Sequence, residues 1–193
     1  MKHSQRLSVI ALLATMSFVL MLVGQVVLIP TASFLKLDLS FLPIFLGAVL
    51  MDLRAGYGIL CLRSLLKLLL DGGGPAGYIG LPMNIVAMGL LLTALIWALN
   101  RKAEWSVSAL VKGGTIGTLA MTASMVLLNW IYAIPLYALL ANFDIAKTIG
   151  LEHYLLWMVV PFNLLEGLIL TTLVGCMLFP FKNIILRLRR QVN

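Results

Sequence analysis

Asn84, Asn129, Asn163 and Glu166 each interrupt a long apolar run. Asn163 and Glu166 are spaced to share one face of a helix. Pro82 stands just before Asn84, Pro135 just after Asn129, and Pro161 just before Asn163. A proline inside a helix frees a carbonyl, and at membrane depth that carbonyl must be satisfied within the protein. Amides donate and accept hydrogen bonds, whereas a carboxylate accepts. A ring of such groups in an apolar wall suits the capture of a small molecule rather than the breaking of a bond. For any single asparagine the ordinary alternative is a hydrogen bond between helices.

Other reactive groups offer less. Arg63 and Lys67 share a helix face, and Asp71 lies one turn beyond Lys67. Lys67 can snorkel toward water, so structural pairing is the favoured reading, with Arg63 the deeper of the two. His3 and His153 fall outside the apolar runs, and no serine–base or His/Glu cluster suggests an enzyme. Cys61 and Cys176 lack metal-site or haem spacing and are expected to be packing residues. The stretch Asp71-Gly72-Gly73-Gly74-Pro75-Ala76-Gly77-Tyr78 lacks the Lys-Ser/Thr of a phosphate loop and reads as a flexible turn, so the chain is expected to carry no ATPase. Phe34, Tyr78, Trp130, Tyr132, Tyr137, Tyr154, Trp157 and Phe162 gather near the same ends of their runs. Some belong to an interfacial aromatic belt. Such a lining also suits a flat heteroaromatic ligand bearing hydroxyls.

The elements that position these groups are membrane spans. Of 193 residues, 62% are hydrophobic and 11% charged, too few charges to clothe a water-soluble domain. Candidate segments run over residues 7–29, 41–51, 55–70, 79–99, 115–140 and 154–179. The second is short, and a polar corner at 51–56 divides it from the third; a re-entrant hairpin there would lower the number of spans. The first segment is too long for a signal peptide's apolar region and is read as retained. With six spans, one side carries Lys2, Arg6, Arg54, Arg101, Lys102, Lys112, Lys182, Arg187, Arg189 and Arg190. The other carries Lys36 and Lys147. That asymmetry puts both termini in the cytoplasm of a multi-pass protein. The basic residues lie in the connections rather than on a soluble aromatic face, so nucleic acid is not an expected partner. The expected fold is all-α and integral to the membrane: residues 1–193 as one domain of six transmembrane helices.

Residues 30–40 form the first outward loop, where Phe34, Leu35, Leu37 and Leu39 interleave with Lys36, Asp38 and Ser40. Period-two alternation predicts an extended segment. A lid across a ligand and an ordinary interfacial loop fit it equally.

Phe34-Leu35-Lys36-Leu37-Asp38-Leu39-Ser40, followed by Pro43 and Gly47-Ala48, resembles a signature of the riboflavin-binding S components of energy-coupling-factor (ECF) transporters. Gly80-Leu81-Pro82-Met83-Asn84, Pro135-Leu136-Tyr137 and Pro161-Phe162-Asn163-Leu164-Leu165 are similar to its later helix motifs, so the resemblance covers nearly the whole chain. It implies a six-helix S-component bundle in a bacterial plasma membrane, binding a vitamin near the outer face under a lid. The residues it points to are Leu35, Lys36, Leu37, Asp38, Asn84, Asn129, Tyr132, Asn163 and Glu166. It further implies a transmembrane coupling protein and two ATP-binding subunits as partners, docked through small residues of the first helix, here Ala11, Ala14 and Thr15. Riboflavin would be transported ligand, with no cofactor. The sequence departs from the pattern at Thr15, at Arg63-Ser64 where the family often has Lys-Asn, and at Glu166 where it usually has lysine. An S component for another vitamin or heteroaromatic precursor, and a self-sufficient small-solute carrier, are the alternative readings.

Overall fold

Short polar side chains start the helices that follow the basic links. Asp52 caps α3 (Leu53–Leu70), its Oδ1 accepting from the Ala55 N–H at 2.8 Å. Ser106 caps α5 (Val107–Leu128) by accepting from Ala109 N–H at 3.3 Å. Each satisfies an amide that has no partner within its own helix. The glycine-rich link is more ordered than a flexible turn. Gly73 and Gly74 take φ of 68° and 65°, a conformation side chains disfavour, and Pro75 sits at the helix start. The helix α4 (Gly74–Asn100) therefore begins inside the glycine run rather than at residue 79. Likewise α5 begins at Val107, not at residue 115.

The computed structural model describes residues 3–27, 35–101 and 105–192. Phe34, Lys2 and Lys102 lie outside them. The first helix, α1 (His3–Val23), stops short of the expected residue 29. Strand β1 (Gln25–Val27) follows and pairs antiparallel with β2 (Lys36–Asp38), in the register Gln25 to Asp38, Val26 to Leu37 and Val27 to Lys36. The alternating loop is thus extended, as its period predicts, but it is one arm of a ribbon whose other arm was assigned to the first span.

α2 (Phe41–Leu50) has 10 residues and is buried along most of its surface. At 1.5 Å per residue it covers about half of the ~30 Å hydrocarbon thickness. Phe41, Ile44 and Phe45 are wholly buried, so α2 is a core helix wedged beneath the ribbon. α5 continues through a π-helical turn (Asn129–Ala133) into α6 (Ile134–Leu140). After the short α7 (Ile145–Thr148), a second π-helical segment (His153–Val159) leads into α8 (Val160–Leu178). α9 (Lys182–Val192) ends the described chain.

Among the described residues, four helical stretches are long and apolar enough to cross a membrane: Ser4–Val23, Gly74–Asn100, Val107–Leu140 and His153–Leu178. α3 has 18 residues, but Arg54, Arg63 and Lys67 lower its hydropathy. Cys61 and Cys176 are exposed on the outer surfaces of α3 and α8, which corrects their reading as packing residues. Leu91, Leu92 and Leu95 of α4 pack with Met121 of α5 and with Leu170 and Val174 of α8 in a core that leaves no atom of them exposed. Glycines let these helices meet. A Cβ on Gly114 would strike the Thr171 side chain, and one on Gly167 would strike Thr118, so α5 and α8 each receive a threonine from the other.

Candidate functional site

Arg63 is the largest wholly buried side chain, and its environment organises one end of the bundle. From α3 its guanidinium donates to Asp38 Oδ2 at 2.9 Å, Ser40 Oγ at 3.0 Å and Asn84 Oδ1 at 2.7 Å. Asn84 Nδ2 in turn donates to Asp38 Oδ2 at 3.1 Å. Asp38 Oδ1 accepts from Ser40 N–H at 2.9 Å, and Ser17 Oγ of α1 donates to Ser40 O at 2.7 Å. Asp38, the end residue of β2, is thereby tied to α1, α3 and α4. Its own N–H reaches Glu166 Oε1 of α8 at 3.3 Å. A buried ion pair with this many hydrogen bonds holds its geometry, although Arg63 Nε finds no partner, and losing either member leaves a buried charge behind. Pairing was the expected role of Arg63, and the partner is the loop aspartate. Lys67 pairs with Asp71 as expected.

Two adjoining chambers open beside this cluster. One, of about 230 Å³, lies between the ribbon and the start of α4, with Gln25, Lys36, Asp38, Lys67, Gly73 and Gly77 in its wall. The other, of about 110 Å³, reaches inward between Leu35, Met83, Asn129, Tyr154, Phe162, Asn163 and Glu166. Lys36, Gly80, Asn84 and Tyr137 line both. Together they approach the lower end of the roughly 300–1,000 Å³ typical of small-molecule sites.

The asparagines reach the inner chamber because their helices change pitch there. Pro135 and Pro161 each follow a π-helical segment. A proline ring clashes with the carbonyl four residues earlier, and a widened turn relieves the clash. Asn129 and Tyr154 sit on these two wide turns and meet across the chamber, Tyr154 Oη donating to Asn129 Oδ1 at 2.6 Å. Asn129 Nδ2 donates to Met125 O, and Asn163 Nδ2 to Val159 O, both at 2.8 Å. Those bonds fix each amide and leave the Asn163 oxygen as an acceptor in the chamber wall. Asn84 is engaged at both ends by Arg63 and Asp38, so it supports the ribbon as much as it lines the cavity.

Of the residues singled out from sequence, Leu35, Lys36, Asn84, Asn129, Asn163 and Glu166 line the inner chamber, and Asp38 lines the outer one. Leu37 points the other way and is buried in the core, as strand alternation requires. Tyr132 is half-buried and lines neither chamber. Of the aromatic group, Tyr137, Tyr154 and Phe162 line the chambers, while Tyr78, Trp130 and Trp157 are exposed. Gln25 was not singled out from the sequence. Gln25 lay inside the presumed first span, and only the ribbon pairing brings it to the cavity. On α1, Ala11 and Thr15 are exposed, but Ala14 faces inward and is wholly buried. Its burial separates it from the exposed pair: with 3.6 residues per turn it lies on the flank of their face that turns into the core.

Residues 5–178 match the profile of a family described as "ECF transporter, substrate-specific component". The chain is 47% identical over 190 residues to the riboflavin transporter RibU of Streptococcus thermophilus, covering 97% of this chain and 88% of that one. It is 36% identical over 198 residues to RibU of Lactococcus lactis subsp. cremoris, covering 94% and 95%. A solved structure described as the S component of a bacterial ECF transporter superimposes with a TM-score of 0.76 over 95% of this chain and 99% of that one. At 22% identity, that likeness concerns the fold.

Proposed function

The chain belongs to the ECF transporter substrate-specific component family, and from that premise we propose that it captures riboflavin at the outer face of a bacterial plasma membrane for uptake driven by partner subunits. It is a membrane transport protein and not an enzyme. The observation that carries the substrate is the inner chamber, where Tyr137, Tyr154 and Phe162 share a wall with Asn129, Asn163 and Glu166. Kinship to riboflavin transporters supports the same ligand. The isoalloxazine ring packs among the aromatic and apolar side chains. Asn129 and Asn163 bond its polar edge, and Glu166 accepts from ligand hydroxyls. Leu35 and Lys36 cover the ligand, with Asp38 anchoring the ribbon that carries them.

In this reading the chain crosses the bilayer six times, the second crossing made inside the bundle by the short buried α2 and the residues that flank it, and both termini are cytoplasmic. The basic end then faces inward and the chambers outward. A transmembrane coupling protein docks on the exposed α1 face around Ala11 and Thr15, and two ATP-binding subunits supply the energy.

Fluorescence titration tests the assignment. Purified protein should quench added riboflavin with saturable, one-to-one stoichiometry, whereas absence of quenching would overturn it. A second reading, an S component for another heteroaromatic vitamin, is favoured by one observation: Glu166 stands where the riboflavin signature usually has lysine. Competition against labelled riboflavin by a panel of vitamins separates the two.

A further inference from the structure

The last helix carries a pattern that vitamin capture does not use. Only residues 179–181 separate the end of α8 at Leu178 from the start of α9 at Lys182. Three residues reach at most ~10 Å, so α9 begins at the membrane boundary. It carries Lys182, Arg187, Arg189 and Arg190 and no acidic residue. The basic groups divide by what they touch. Lys182 Nζ reaches Trp105 O at 3.5 Å, and the Arg189 guanidinium lies 5.9 Å from the Trp105 ring. These two, with Ile185 buried beside α2, pin one edge of α9 to the protein. Arg187 and Arg190 project into solvent. Between the pinned edge and these arginines runs an apolar stripe: Ile184 and Leu188, one turn apart, are 57% and 42% exposed, and Phe181 just before the helix is 53% exposed.

We propose that α9 lies in the membrane interface with Phe181, Ile184 and Leu188 in the acyl boundary and Arg187 and Arg190 on the headgroups of anionic phospholipids. A helix with a charged face and an apolar face, starting where a span ends, binds a bilayer surface by buried apolar area together with attraction to anionic lipid. Charge favours the same occupant. Arg54, Arg101 and Lys112 lie near the same end of the bundle, and among the described residues the carboxylate there, Asp52, is already paired with Arg6, while Glu104 lies outside the described residues. A protein partner would have to displace lipid from an apolar stripe that already adjoins it.

Full-length chain bearing a nitroxide at Leu188→Cys, in a Cys61→Ala, Cys176→Ala background, tests this in phosphatidylcholine vesicles with and without phosphatidylglycerol. With phosphatidylglycerol, the label should collide more with oxygen than with a water-soluble nickel chelate. Each basic residue at an anionic surface contributes about fivefold to binding, so Arg187→Gln with Arg190→Gln should lower the docked-to-undocked ratio about 30-fold. Raising salt should lower it without any substitution in the arginines. A label equally water-exposed in both lipids, or docking that ignores salt and both arginines, would overturn the proposal. So would protection that appears only when partner subunits are added, which would make α9 a protein interface. The contact depends on the chain spanning a bilayer and not on which vitamin it binds. Flavin quenching by the same labelled protein keeps the two questions apart.

Discussion

Glu166 has two neighbours to serve: the Asp38 N–H at 3.3 Å and the chamber whose wall it shares with Asn163. A typical hydrogen bond contributes about 0.5–1.5 kcal/mol net, so Glu166→Ala should weaken riboflavin binding about 2- to 10-fold in a quenching titration. Glu166→Lys restores the side chain usual in the riboflavin signature. If it binds riboflavin at least as well as the native chain, the departure at this position does not set the substrate. Arg63 differs in kind, because it touches Asp38, Ser40 and Asn84. Arg63→Met leaves the Asp38 carboxylate buried without its cation and should cost about 3–5 kcal/mol in thermal or denaturant unfolding. Arg63→Met combined with Asp38→Leu should cost less than the sum of the two single changes, and a cost equal to that sum would show that the pair is not coupled. At the basic end, Asp52 is pushed upward by partial burial. The Ala55 N–H and the charges of Arg6 and Arg54 outweigh that push and hold it below the ordinary carboxylate value. A depressed carboxylate contributes stability that is fully present above its unfolded value near 4 and is lost as pH falls through the folded one. The side chains of Arg6 and Asp52 are 40% and 43% exposed, so solvent screening limits the pair to under about 1 kcal/mol. Asp52→Asn should therefore flatten only the acid limb of a stability–pH profile.

The two π-helical segments decide where the site is. Without Pro161, the clash that opens the turn ahead of α8 disappears and an ordinary α-helix can continue through it. Pro161→Ala should leave helix content nearly unchanged in circular dichroism but rotate Tyr154 away from Asn129, and riboflavin affinity should fall while the fold survives. Unchanged affinity would mean that the wide turn is held by packing and not by the proline. The crossing of α5 and α8 is set differently, by Gly114 and Gly167 receiving Thr171 and Thr118. Gly167→Leu overfills that contact and should destabilise the protein by about 1–3 kcal/mol, measured in the same unfolding assay. Proline motifs were visible in the sequence as interruptions near the asparagines. Their effect, a change of helical pitch, was not, because a π-turn depends on what neighbouring helices will accommodate.

Across the whole molecule, the chambers and most of the basic residues occupy opposite ends. The chambers lie under the ribbon and the glycine-rich start of α4. Arg6 meets Asp52, and Lys182 meets Trp105, at the other end. A chain built this way can bind from one side, but among its described residues nothing suggests a source of energy for moving the ligand through. In liposomes containing this chain alone, riboflavin should bind and not accumulate. Accumulation should require the coupling protein, the ATP-binding subunits and ATP together. Uptake by the chain alone would instead identify a self-sufficient carrier.

The membrane, the helical class and the uneven charge were determined by composition and order alone. Long apolar runs have no other stable home, and basic residues between them do not cross readily. The polar members of the site were legible for the same reason: an asparagine or glutamate in such a run is costly unless something inside the protein uses it. Tertiary structure decided the rest. Residues 25–27 look like the end of a span until Lys36–Asp38 pairs with them. α2 is apolar enough to suggest a span, and its 10 residues make it a buried wedge. Leu37 and Tyr132 belong to the right motifs but turn away from the chambers, since direction follows from strand alternation and helix rotation. Asn84 reads from sequence as a ligand-facing amide, and only the long-range contact reveals that it also holds Asp38 while lining both chambers. Hydropathy is a property of each residue and survives in the sequence, whereas a cavity belongs to the packing of several segments and exists only once they meet.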